Sequence, residues 1–221
     1  MTTRSLRRFA PSMLLFPAIA GIAGGWAVTT VEALPDHVVA GRPVSLEFTV
    51  RQHGVEPMNG LKPQVEVRGQ GAPMRAMAAA AGSPGRYRAT LTLPEPGDWT
   101  LTIHSGFGKS RVTLLPIAAV AAGAAPRALT EAERGQRLFV AKGCVTCHLH
   151  RAVAGSGTFA VGPELTERPL APDYLARFLA DPSVSPSNRG RGDGAMPDLD
   201  LDAGEITALM AFLGGERRAS R

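Results

Sequence analysis

The sequence predicts two small domains, an N-terminal all-β sandwich followed by a C-terminal all-α domain. Apolar and polar residues alternate along the first half, whereas the second half has the spacing of amphipathic helices. A stretch composed almost entirely of Ala, Gly and Pro separates the two patterns. We therefore expect a β-domain over residues 26–117, a linker over 118–129 and a helical domain over 130–215.

Residues 1–23 have the composition of an export signal peptide. Three arginines precede an uncharged apolar stretch, and small residues follow at Ala20 and Ala23, where cleavage is expected. The alternative is an uncleaved anchor, because the uncharged stretch is long enough to span a bilayer, which needs about 20 apolar residues. In either case we expect the rest of the chain to lie in the periplasm, free or held at the inner membrane.

The first domain shows the alternation of half-buried strands, with apolar residues on one face and polar residues on the other. Gly- and Pro-containing turns separate these segments, as in small β-sandwiches. No cysteine is available to cross-link this domain, so its core must stabilise it alone. The strands are expected at residues 44–50, 87–93 and 99–103, more briefly at 112–114, and with weaker patterns near 27–31 and 64–68.

The first domain resembles the YtkA-like family of exported immunoglobulin-like sandwiches. The resemblance rests on Val39-Ala-Gly-Arg-Pro43, on the strand end at residues 48–54 and on the strand at residues 85–91. It implies an immunoglobulin-like fold and indicates little about the role of the domain.

Three histidines and three methionines in the first domain have side chains that bind copper. No pair of them has the spacing of a metal site, so surface and loop positions explain them better. They are His37, His53, His104, Met58, Met74 and Met77.

The two cysteines, the only ones in the chain, lie in the second domain in the pattern that attaches haem c. Cys144 and Cys147 are separated by two residues, and His148 follows directly. Each thiol can form a thioether with one haem vinyl group, and His148 offers an imidazole to the iron as the proximal ligand. A thioredoxin-like dithiol would need a βαβ context, and a zinc site would need more widely spaced ligands. Two buried structural cysteines are the remaining alternative.

Helix signals surround this motif. Thr130 and Glu133 form a capping-box pattern, and the helix that they start is expected to end at Gly143. A second helix is predicted from Pro172 to the residues before Asp181-Pro182. A third starts near residue 202 and carries an apolar stripe over residues 206–213, with Gly214-Gly215 as its predicted end.

Three further residues are candidates for the haem site. Met196 follows a glycine-rich loop and precedes a proline, so its thioether is the predicted distal iron ligand. Pro163 has a free carbonyl that suits the second ring N–H of a metal-bound histidine, although an ordinary turn would also explain it. Tyr174 belongs to the apolar face of its helix, or directs its hydroxyl to a haem propionate.

The second domain resembles the class I cytochrome c family. The family implies one covalent haem c, thioethers from Cys144 and Cys147, proximal His148 and distal Met196. One departure is the last helix, where Phe212 is the only candidate for an aromatic residue that the family has near the centre. The resemblance rests on Gly135, Phe139, Cys144, Cys147, His148, Gly162-Pro163, Tyr174-Leu175, Phe178-Leu179, Asp181-Pro182, Met196-Pro197 and the helix at residues 206–213.

These features predict a carrier of single electrons rather than an enzyme, with unidentified redox proteins as donor and acceptor. The net charge of +5 includes three leader arginines, and no basic stripe indicates nucleic-acid binding. The first alternative is haem catalysis or ligand sensing, such as peroxide reduction, which needs an open iron position. The second is a metal-handling or assembly β-domain with the haem as its redox helper.

Overall fold

The computed structural model describes residues 25–155, 159, 161–166, 168, 170–189 and 195–219, with side chains to residue 214. The predicted leader at residues 1–23 lies outside this part of the chain. The described N-terminal region is built from β-strands and the C-terminal region from helices, as the sequence predicts.

The strands form two sheets. The first has the order β1-β3-β8-β7, with β4 paired to β3. The second has the order β2-β11-β9-β5-β6, with β10 paired to β9. Only the pairing of β2 with β11 is parallel among the described strands. The strands are β1 (Ala27–Val31), β2 (His37–Val39), β3 (Pro43–Gln52), β4 (Glu56–Pro57), β5 (Gln64–Arg68), β6 (Met74–Met77), β7 (Ala79–Ala80), β8 (Arg86–Thr92), β9 (Gly97–His104), β10 (Arg111–Thr113) and β11 (Ile117–Val120).

Side chains from both sheets share one buried core. Phe48 and Val50 of β3 and Val65 of β5 are fully buried, and Trp99 of β9 is almost so. From Tyr87 onward, strand β8 alternates between buried and exposed residues, which is the pattern of a sheet with one face on a core. All six segments in which the sequence predicts a strand contain one. The sequence patterns did not predict β4 and β7, which are only two residues long, or β2, β6 and β11.

The predicted linker is wrong over its first three residues, because residues 118–120 belong to β11. Ala118 pairs with His37 of β2 and with Asp98 of β9, so β11 lies between two strands of the second sheet. Alanine is a weak strand former and gives no alternating pattern. Backbone pairing with both neighbours overrides this preference, and the β-domain extends to Val120.

In the described part of the second domain there are three α-helices: α1 (Glu131–Ala141), α2 (Pro172–Ala180) and α3 (Ala203–Ala219). The predicted capping box is present, since Thr130 Oγ1 accepts a hydrogen bond from Glu133 N and the Glu133 carboxylate accepts one from Thr130 N. The predicted end at residue 215 is wrong, because α3 continues through both glycines. A helical glycine costs only about 1 kcal/mol, and good helix formers follow it.

The crossing of α1 and α3 depends on Gly135. A Cβ on this residue would overlap the carbonyl of Ala208 in α3. Phe212 packs at the same crossing, where its ring lies 5.7 Å from that of Phe139 in α1. The aromatic residue of the last helix therefore contacts the first helix.

The two domains are in contact on one side of α1. The Arg134 guanidinium pairs with the Asp36 carboxylate at 2.7 Å, and Arg137 donates to the Asp36 carbonyl at 2.8 Å. Lys142 is 4% exposed, donates to the Glu32 carbonyl at 3.1 Å and pairs with Glu205 of α3 at 2.6 Å. The segment after β1 is thus fixed to α1. Within the described chain, no helix has the length and apolar character needed to cross a bilayer.

We predict that Gly135→Ala lowers the free energy of unfolding by about 1–3 kcal/mol, because the new methyl group forces α1 and α3 apart. Gly204→Ala is the matched control in α3. Its Cβ would meet only the Asp202 carboxylate, at 3.2 Å, and removing a helical glycine adds about 0.5–1 kcal/mol of stability. Urea unfolding of the full chain measures the free energy of unfolding of both variants. Equal stabilisation by the two substitutions would contradict the close crossing of α1 and α3.

Candidate haem site

A large cavity lies where the helical domain meets β1. It contains about 1260 Å³ of space, part of which is open to solvent. Most of the side chains around it are apolar and come from all three helices and the loops between them. They include Phe139, Leu165, Leu175, Phe178, Leu179 and Leu213.

Both cysteines line this cavity. They lie on a short 3-10 turn that follows Gly143, whose φ of 80° lies in the left-handed region that favours glycine. Cys147 N and His148 N both donate to the Cys144 carbonyl, at 3.1 and 2.9 Å. The two thiols are free. Burial raises the pKa of Cys144 to about 12 and that of Cys147 to about 11, so both stay protonated at neutral pH.

His148 lines the cavity with its ring fixed. Its Nδ1 lies 2.8 Å from the Pro163 carbonyl oxygen, which can only accept, so Nδ1 carries the proton and Nε2 keeps its lone pair. Gly162 lies against the ring, and a Cβ there would come within 2.6 Å of Nδ1. Burial lowers the pKa of His148 and outweighs the opposing effect of the bond to Pro163, which favours the neutral imidazole that metals bind.

Met196 lines the same cavity and is held by a residue that the sequence analysis missed. The Asn188 side chain accepts a hydrogen bond from Met196 N at 2.7 Å and donates to Met196 O at 3.1 Å. Its amide nitrogen also lies 3.2 Å from the Pro182 carbonyl oxygen. One asparagine therefore ties the methionine to the end of α2. Nothing local in the sequence distinguishes it from other polar loop residues.

Tyr174 lines the cavity from the first turn of α2. Its ring stacks on Phe178 with 5.7 Å between centroids and 11° between planes, as expected for the apolar face of that helix. The role of its hydroxyl towards a propionate stays a prediction. Two cationic residues also border the cavity: Lys142, which is paired with Glu205, and Arg168, which is exposed.

The β-domain supplies part of the cavity wall, which the sequence did not indicate. Trp26 and Val28 line it together with the haem-motif residues. Trp26 stacks on Phe159 of the helical domain, with 5.2 Å between centroids and 22° between planes. The position of Trp26 relative to the cysteines depends on contacts between residues far apart in the chain, so no sequence motif reveals it.

Two of the candidate copper ligands of the β-domain, His104 and Met77, lie on different strands. Gln64 of β5 pairs with Met77 on one side and with His104 on the other, so a whole strand separates these two candidates. Among the described residues, no group of three or more His, Cys, Asp or Glu side chains is arranged to hold a metal ion.

The residues around the cavity fit a haem c group. Two free thiols at the required spacing, a neutral imidazole and a thioether share one apolar space. These are the donors that a covalent His/Met-ligated haem needs.

Comparisons with known structures give only distant likenesses. Domains 4 and 5 of the S-layer protein SbsC are 20% identical over 42% of this chain and 51% of theirs, with a TM-score of 0.30, so the chain spans about half of that fragment. The ZirS C-terminal domain is 13% identical over 54% and 87%, with a TM-score of 0.32. A superoxide reductase (neelaredoxin) from Ignicoccus hospitalis is 17% identical over 44% and 83%, with a TM-score of 0.30. No curated protein matches the chain.

Two family models match the chain, one for each domain. The model described as YtkA-like matches residues 23–104. The model described as cytochrome C oxidase, cbb3-type, subunit III matches residues 130–213, which include Cys144, Cys147, His148 and Met196. A cytochrome c domain binds haem c covalently. Both resemblances are thereby confirmed: the chain carries a YtkA-like domain followed by a cytochrome c domain that matches cbb3-type subunit III.

Proposed function

We propose that this protein is a periplasmic cytochrome that carries single electrons through one covalent haem c. Cys144 and Cys147 hold the haem, His148 is the proximal ligand and Met196 is the distal ligand. The observation that carries this proposal is the convergence of these four side chains on one apolar cavity, with the imidazole fixed by Pro163.

The haem supplies the redox-active iron, and the protein fixes the groups around it. The hydrogen bond from Nδ1 to Pro163 keeps His148 in one tautomer and one orientation. The Asn188 side chain binds both backbone groups of Met196, its N–H and its carbonyl. Because the His148 ring and the Met196 backbone are fixed before the electron arrives, little of the protein needs to rearrange when the charge of the iron changes. Apolar walls restrict solvent, and a His/Met pair raises the potential.

Met196 favours a carrier over a haem enzyme. A peroxidase-like enzyme or a ligand sensor needs an open iron position. In this cavity the backbone of Met196 is held by hydrogen bonds to Asn188 at 2.7 and 3.1 Å. The Met196 thioether, bound to the iron, would occupy the position that an external ligand requires. Electron donors and acceptors would then dock transiently, through small interfaces.

The leader pattern supports a periplasmic location, with cleavage or anchoring at the inner membrane as the two outcomes. Two sheets around a shared core support an immunoglobulin-like sandwich for the β-domain. We assign this domain a docking or positioning role. The alternative, a metal-handling β-domain served by the haem, has less support because β5 separates two of its candidate ligands, His104 and Met77.

We predict that the protein, purified from a host with cytochrome maturation, is coloured and has the mass of the polypeptide plus one haem. Cys144→Ala combined with Cys147→Ala removes both thiols, so the haem no longer survives denaturation on the chain. Absorption spectra and intact mass measure haem attachment and leader removal together. Colourless wild-type protein at the mass of the bare polypeptide would overturn the proposed function.

We expect Met196→Leu to open the distal position while conserving side-chain volume. Reduced Met196→Leu should bind CO rapidly and should have a lower reduction potential than the wild type, because the thioether no longer ligates the iron. Met210→Leu is the matched control, since Met210 packs on the core from α3 and does not line the cavity. Rapid CO or peroxide binding by the wild type would favour the haem-enzyme alternative.

We also predict that Gly162→Ala displaces the proximal imidazole. The added methyl group would overlap the His148 ring, at a cost of about 1–3 kcal/mol typical of overpacking. Gly155→Ala is the control: its φ is +73°, so it strains the backbone, but its Cβ meets nothing within 4 Å. Haem absorption and the reduction potential should change in Gly162→Ala only. Unchanged spectra in both variants would show that the ring does not lie against Gly162.

A further inference from the structure

We propose that the β-domain is a fixed wall of the haem crevice and that its His53-Gly54 turn positions the loop carrying Met196. This inference rests on the proposed His/Met-ligated haem and deepens it. It assigns Trp26, Val28 and Gly54 as positioning residues, which act on the sulfur ligand and the crevice without being ligands themselves.

Strand β1 lies directly against the turn that precedes the haem motif. Gly143 has no Cβ, and one placed there would lie 2.5 Å from Val28 Cγ1 and 3.0 Å from the Thr29 carbonyl oxygen. The backbones of the two domains therefore meet at the residue before Cys144. Trp26 and Val28 consequently form one side of the cavity.

The His53-Gly54 turn contacts Pro197, the residue after Met196. A Cβ on Gly54 would lie 3.0 Å from Pro197 Cγ and 3.4 Å from Val28 Cγ2. The turn is fixed to β1, because His53 N donates to the Trp26 carbonyl at 3.0 Å. Pro197 directly follows Met196, and its ring restricts the backbone there. Movement of this turn would therefore be transmitted to the methionine.

Buried charges keep the domains together on the other side of β1. Lys142 is almost fully buried and has two partners, Glu32 O from the β-domain and Glu205 from α3. Separating the domains would break the hydrogen bond from Lys142 to the Glu32 carbonyl, while the Lys142–Glu205 pair lies within the helical domain. The Arg134–Asp36 pair adds a second connection. The β-domain is thus packed on the haem domain, and the residues after Val120 do not act as a free tether.

The segment formed by Met196 and Pro197 is consequently held from two sides. Asn188 binds the backbone of Met196 from within the haem domain, and Gly54 contacts Pro197 from the β-domain. A change confined to the β-domain should therefore alter the ligation of the iron, which a freely tethered docking module could not do.

The test compares Gly54→Ala with Gly60→Ala in the full-length holoprotein. Both glycines are in the β-domain and have left-handed φ values, +82° and +71°, so both substitutions strain the backbone in the same way. Only the Gly54 methyl reaches Pro197, whereas a Cβ on Gly60 meets nothing within 4 Å. The measurements are the rate of CO binding to the reduced protein, the absorption band of the sulfur–iron pair and the melting temperature.

We expect CO to bind Gly54→Ala about tenfold faster than Gly60→Ala, because the added methyl displaces Pro197 and with it the sulfur ligand, and disturbing the outer contacts of a metal ligand typically changes its binding about 10–100-fold. Trp26→Ala should also bind CO faster, because it opens the wall, and Trp26→Phe should restore much of the barrier. Wild-type rates in both Gly54→Ala and Trp26→Ala would overturn this inference. If the wild type itself lacks the sulfur–iron band, the proposed function fails instead, so the two failures are distinguishable.

Discussion

The architecture depends on close backbone approach at three glycines, where a side chain would overlap a neighbour. Gly135 lets α1 and α3 cross, Gly143 lets β1 lie against the turn before Cys144, and Gly162 lets the His148 ring lie on the chain. Each contact fixes one boundary of the same cavity. The contact at Gly135 fixes the two helices, the contact at Gly143 fixes the wall formed by the β-domain, and the contact at Gly162 supports the proximal imidazole. Packing at this distance leaves the cavity little freedom to change shape.

The residues proposed to hold the haem are uncharged, and the charged side chain buried next to them is paired. Burial favours a neutral His148, and the two cysteines become uncharged thioethers when they bind the haem, so the three residues of the attachment motif carry no charge. The buried cation next to it, Lys142, is neutralised by Glu205 at 2.6 Å. A low-dielectric environment with compensated charges is a recognised means of setting the potential of a haem.

Sequence patterns predicted the parts of this structure that depend on neighbouring residues. The Cys144–His148 spacing, the Thr130–Glu133 capping box and the strand alternation each need only a few consecutive positions. The patterns failed where distant contacts decide the outcome. Ala118 joins a strand because β2 and β9 pair with it. The end of α3 was missed for a local reason, since two glycines cost too little to stop a helix that good helix formers continue. Trp26 and Asn188 reach the cavity only through the fold, so their positions could not be predicted.

The placement of Trp26 gives the protein a built-in optical reporter. The chain has two tryptophans, Trp26 at the cavity and Trp99, whose indole N–H donates to Glu95 O inside the β-domain. A bound porphyrin accepts excitation energy from a nearby indole, and this transfer weakens steeply with distance. Emission from Trp26 should therefore be quenched while the domains are docked and should recover when they part. The fluorescence of the unlabelled protein would then follow its domain movements in solution.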